Sequence, residues 1–135
     1  MSITAIRAAL ETALAGMAPT LATAYENTAF ASTTGIPYQA VTLMPAAPDN
    51  TSMGSGHYRE QGIFQVSLFY PIQGGPAAAA ARADLIRAAF KRGNAFVNAG
   101  ITVLITKTPE ISSGSIDSDR WMVPVKIRYQ ADIFN

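Results

Sequence analysis

Few side chains in this chain have any claim to chemistry. His57 is the sole histidine, followed directly by Tyr58, Arg59 and Glu60. An imidazole titrates near neutral pH and serves as acid, base or metal ligand. It needs partners, and the chain has no cysteine, so no Cys–His pair forms and a metal centre would be mostly carboxylate. Asp117 and Asp119, flanking Ser118, are a pair of that kind, but they also read as a polar hairpin tip ahead of a strand. Serines are plentiful, yet no Gly-x-Ser-x-Gly turn presents one as a nucleophile. Gly54-Ser55-Gly56 and Gly74-Gly75 lack the Gly-Lys-Ser/Thr ending of a phosphate loop, and Pro76 removes a donor from the helix start after the second. The reading is a protein without a catalytic site, a metal or a cofactor. A small enzyme or ligand-binding domain with a pocket between sheet and helices is the alternative.

The elements that would position these residues follow from hydrophobic period. Ile3, Ile6, Leu10, Leu14 and Met17 recur at helical spacing, so residues 2–16 form a helix with Ser2 as N-cap, Gly16 as stop and Pro19 barring continuation. A short strand around 21–25 is possible, and 27–35 reads as loop. Residues 38–44 form a strand bounded by Pro37 and Pro45. Residues 45–58, with two prolines and two glycines, form a long flexible loop joining two antiparallel strands. Residues 62–70 form the next strand; Phe64 and Phe69 fall on opposite faces, so this strand is central or a neighbour covers its second side. Pro76–Lys91 is an alanine-rich helix ended by Gly93. A short strand at 101–106 and a polar loop at 109–119 lead to the final strand, 120–134. There Trp121, Val123, Val125, Ile127, Tyr129 and Ile133 alternate with Met122, Pro124, Lys126, Arg128, Gln130 and Asp132. Pro124 cannot donate a ladder hydrogen bond, which makes this strand an edge or bulged.

The expected architecture is a single α+β domain over residues 1–135. A mainly antiparallel four-stranded sheet, made of two hairpins, carries two helices on one face in the order α-β-β-α-β-β. At 135 residues the chain buries a substantial core. Charged residues are 14% of the total, against about 25% in an average soluble domain. So thin a charge suits a surface covered by other subunits, and equally a neutral domain with an alanine-rich helix. A net charge of +1 without any basic stripe argues against nucleic-acid readout. No stretch has the roughly 20 apolar residues of a membrane span, and the N-terminus lacks signal-peptide features. Synthesis in the cytoplasm is expected.

Three blocks give the chain a resemblance. The first is Tyr-Glu-Asn-Thr-Ala-Phe (25–30) with Gly-Ile-Pro-Tyr (35–38) and Val-Thr-Leu-Met-Pro-Ala (41–46). The second is Arg-Glu-Gln-Gly-Ile-Phe-Gln-Val-Ser-Leu-Phe-Tyr-Pro (59–71), running through the alanine-rich helix to Phe90. The third is Arg-Trp-Met-Val-Pro-Val-Lys-Ile-Arg-Tyr (120–129). In order and spacing they resemble the tail terminator family of long-tailed bacteriophages and its small phage and prophage relatives. The resemblance implies a non-enzymatic virion protein: a hexameric ring of copies that caps the tail tube, stops its polymerisation and presents a surface to the head-completion protein. Its partners would be itself, the tail tube protein and the head-completion protein. A different neck or tail-tube component is the alternative. The candidate assembly interface is Asp49, Asn50, His57, Tyr58, Arg59 and Glu60 at the loop and the strand after it, with Arg120, Lys126, Arg128 and Asp132 on the last strand. Residues 49–58 are expected to be mobile in the free protein and engaged in the particle.

Overall fold

The computed structural model describes residues 2–17, 20–31, 35–50, 56–72, 74–117 and 119–134. The elements are α1 (Ser2–Ala15), β1 (Ala22–Ala24), β2 (Tyr38–Pro45), β3 (His57–Pro71), α2 (Ala77–Ala89), β4 (Ala95–Asn98), β5 (Ile101–Ile105), β6 (Glu110–Ile111), β7 (Ser115–Asp117) and β8 (Arg120–Phe134). The Pro19 helix stop and residues 51–55 of the expected flexible loop lie outside the described residues, as does the side chain of Ser2.

The strands form one curled, mixed sheet of eight, a half-barrel, which corrects the expected four-stranded antiparallel sheet in α-β-β-α-β-β order. The main path runs β1-β2-β3-β8-β5-β4, with β6 and β7 also paired to β8. β1 pairs parallel with β2, and the other pairings are antiparallel. Three local features explain the difference. β4 joins β5 through Ala99 (φ 51°) and Gly100 (φ 78°). Two successive positive φ values make the tight hairpin turn usually announced by Asn-Gly; here alanine fills the first position and hides the signal. β6 and β7 are two and three residues long, too short to show a period. β3 begins at His57, because segment 46–50 still lies against it: Ala46 N donates to Gln61 O at 2.9 Å, and Asp49 and Arg59 exchange backbone hydrogen bonds at 2.8 Å.

β8 is central instead of an edge, and Pro124 is accommodated without a bulge in its pairing to β3, where it faces Ser67. Its carbonyl accepts from Ser112 N at 3.0 Å. A residue in an antiparallel ladder directs N and C=O to the same side, so the missing N–H of Pro124 faces the 112–114 turn between β6 and β7.

β3 and β8, fifteen residues each, pair along their whole length from His57↔Phe134 to Pro71↔Arg120. One face of this ribbon carries Phe64, Val66, Leu68, Val123, Val125, Ile127 and Tyr129, all buried. They join Ile6, Leu10 and Leu14 of α1, Ala79, Ala83 and Ile86 of α2, and Phe90, in one apolar core. The alanines of α2 leave no bulk between helix and strands, which lets the helix lie close. Its last turn is closed by Phe90 N donating to Ile86 O at 2.9 Å and by the Asn94 amide donating to Ala89 O at 2.9 Å.

Candidate functional site

The register of the β3–β8 ribbon brings together residues that are more than seventy positions apart in the chain. At its open end His57 lies opposite Phe134 and Arg59 opposite Asp132. Directly opposed strand residues share a face, so their side chains meet. Arg59 Nε donates to Asp132 Oδ1 at 2.9 Å, and His57 Nε2 lies 3.2 Å from the same oxygen. The His57 ring stacks on Phe134 with centroids 4.8 Å apart. The Arg59 hydrogen bond, helped by His57, holds the Asp132 carboxyl below its ordinary range. Such a carboxylate stays ionised and accepts hydrogen bonds. With Arg59 on the same oxygen, the group is a fixed, shared ion pair that orients side chains.

Lys126 and Arg128 lie on this same face, away from the core; Lys126 is flanked by Gln65 of β3 and Glu110 of β6. Asp49 is held by its backbone bridge to Arg59, and Asn50 follows it on the exposed surface. Two candidates fall on the opposite face, and a third, Arg120, shares this face but is covered. Tyr58 and Glu60 are on the core side of β3: Tyr58 packs against the core, and the charge of Glu60 adds to the burial that pushes the Tyr129 hydroxyl up to about 12. Arg120 is only 5% exposed; its guanidinium donates to Ile36 O at 2.5 Å and lies 5.1 Å from the centre of the Tyr38 ring. Tyr38 in turn stacks on Phe69 at 4.8 Å and meets Phe30 at 5.0 Å. This aromatic group is the cover that Phe69 required. Aromatics on both faces of one strand signalled the cover, and nothing local named its members.

A second polar junction had no sequence signal. β1 pairs with β2 only as far as Ala24↔Ala40, and beyond that point Leu43 N donates to Glu26 Oε1 at 2.7 Å. Arg7 of α1 donates to the same oxygen at 2.6 Å. Partial burial raises the Glu26 carboxyl, but these two donors outweigh it and leave the group lowered. A loop carboxylate thus replaces a strand partner and ties α1 to the sheet. Among the described residues no group of His, Asp and Glu is placed to hold a metal ion.

A family model described as phage tail terminator protein matches residues 5–129. No curated protein matches the chain. Of seven solved chains that match, one shares 25% sequence identity, aligns over 100% of this chain and 99% of its own, and superposes with a TM-score of 0.81.

Proposed function

The chain belongs to the phage tail terminator protein family, and from that membership we propose that it forms a ring of its own copies that caps the tail tube. The coarser role, a structural component of the phage tail, follows from the family itself. On our reading the ring ends tube polymerisation and then offers the joining surface to the head-completion protein. The protein makes and breaks no bonds in doing so, and its place is the virion tail. Six copies is the number we propose for the ring.

The observation that carries this reading is the extent of the family match, residues 5–129 of a 135-residue chain. The ribbon supports it physically. His57, Arg59, Lys126, Arg128 and Asp132 share one sheet face, and charges at such a face set register and orientation of an approaching subunit. We assign this face, together with Asp49 and Asn50, to contacts within the assembled tail. Tyr58 and Glu60 support it from the core side, and Arg120 does so through Tyr38. We also propose that segment 45–58 contacts the tube or the head; hydrogen exchange there should slow when free protein joins tails, and equal exchange in both states refutes that contact.

Deletion of the gene tests the main reading. Tails of uncontrolled length, unjoined to heads, are expected. Tails of normal length joined to heads would overturn it, and long tubes grown from the purified protein alone would mark a tube component instead.

A further inference from the structure

One side of β2 is open for part of its length. The hydrogen bond from Ala46 N to Gln61 O fixes the alternation between β2 and β3. Even-numbered residues of β2 bond to β3, and the odd-numbered Val41, Leu43 and Pro45 direct their backbone groups to the opposite side. β1 covers that side only as far as the Ala24↔Ala40 pair, and among the described residues no strand continues it. Pro45 carries no N–H. Beyond Val41, which lies at the end of β1, Leu43 N is therefore the last donor that β2 presents there.

An unpaired strand edge is a template for another strand. Here a side chain occupies it. Glu26 Oε1 accepts from Leu43 N at 2.7 Å, the place of a carbonyl oxygen in an added strand. Arg7 of α1 fixes the carboxylate, donating to the same oxygen at 2.6 Å while lying 3.6 Å from Glu11. The backbone turns away at Asn27, whose φ is 52°, and Thr28 Oγ1 donates to Glu26 O at 3.1 Å across that turn. The chain that made β1 leaves the edge, and one side-chain oxygen stays in its place.

We propose that Glu26 is an edge guard, which bars β2 of a second copy of this chain from adding to the open side of the sheet, and that Arg7 positions it. A second copy is the strand to exclude because β2, Tyr-Gln-Ala-Val-Thr-Leu-Met-Pro, has no charged residue to repel itself. Two such edges meet antiparallel about a two-fold axis, each presenting the same residues to the other. The inference stands apart from the ring reading, because it names a contact that the protein avoids.

The full-length variant Glu26→Ala removes the acceptor. In dilute protein its Leu43 amide should exchange hydrogen about tenfold faster or more, as loss of a hydrogen bond to a charged group implies. Light scattering should show species larger than wild type that grow with concentration. Arg7→Ala loosens the same carboxylate without deleting it and should show both effects more weakly. Thr42 is exposed on β2, and Glu26→Ala/Thr42→Lys should return to wild-type size, since an edge lysine repels an added strand without restoring the lost hydrogen bond. Wild-type size for both Glu26→Ala and Arg7→Ala would overturn the guard, whatever the Leu43 amide does. Larger species that Thr42→Lys fails to suppress would also overturn it, because they would form through another surface.

Discussion

Gly62 stands where β2, β3 and β8 crowd together. A Cβ at that position would lie 2.5 Å from the Met44 carbonyl oxygen and 2.8 Å from the Tyr129 hydroxyl. One neighbour is strand backbone and the other a buried ring, and neither can yield cheaply. Gly62→Ala should therefore lower stability by about 1–3 kcal/mol, read as a fall in the urea midpoint. Gly56→Ala, with open space around the new methyl, should stay within about 0.5 kcal/mol. Asp132 gives a pH prediction. Its folded-state carboxyl is lowered first by Arg59 and then by His57. A lowered carboxyl stabilises the fold fully above its unfolded value near 3.9 and loses that contribution as pH falls through the folded value. Asp132→Asn should thus cost less than about 1 kcal/mol at pH 7, because the pair is solvent-accessible, and should flatten the acid limb of the stability curve. Glu26 has the same sign; Glu11, raised by burial, has the opposite one and gains as the medium acidifies. Residue types in 62–70 and 120–134 were readable in advance; the parity that puts Glu60 on the side of Phe64 was not, because the strand was expected to begin only at residue 62, whereas β3 begins at His57. That Arg59 and His57 would share one oxygen of Asp132 was not readable either, since the pairing spans more than seventy residues.

β3 and β8 are the elements on which the rest is hung. Phe64 faces Ile127 across their middle, and both are fully buried. Phe64→Ala should destabilise by about 3–5 kcal/mol, with the loss seen equally by circular dichroism and fluorescence if the fold is one cooperative unit. The β4–β5 turn offers the reverse effect. Ala99 holds a φ of 51° that an L-residue adopts at a cost, so Ala99→Gly should raise stability by roughly 0.5–1 kcal/mol, the relief being partly offset by glycine's backbone entropy. The alternation in 120–134 announced a strand with one buried face. It did not announce that β8 would be central, because Pro124 argues for an edge until the turn at 112–114 is seen to take up the side on which its N–H is missing. β6 and β7 exist only because β8 is there to pair with them.

The whole molecule is a curled sheet whose two helices lie against one face, leaving the other with a fixed set of charges and ring stacks. Reversing an exposed charge on that face, Arg128→Glu, should leave the melting temperature within about 2 °C, as surface substitutions do. It should reduce the fraction of tails joined to heads in electron micrographs, and an unchanged fraction would remove Arg128 from the assembly surface. The chain's own sequence determined the local properties: two amphipathic helices, the inward residues of β2, β3 and β8, and the scarcity of side chains fit for catalysis. Each is set by periods of two or 3.6 within one segment, or by composition. Only the tertiary structure decided which strand lies beside which, and that Arg120 is buried against Tyr38 while Arg128 is exposed. Those outcomes depend on pairings between distant segments, and a local hydrophobic period is the same whichever partner a strand finds.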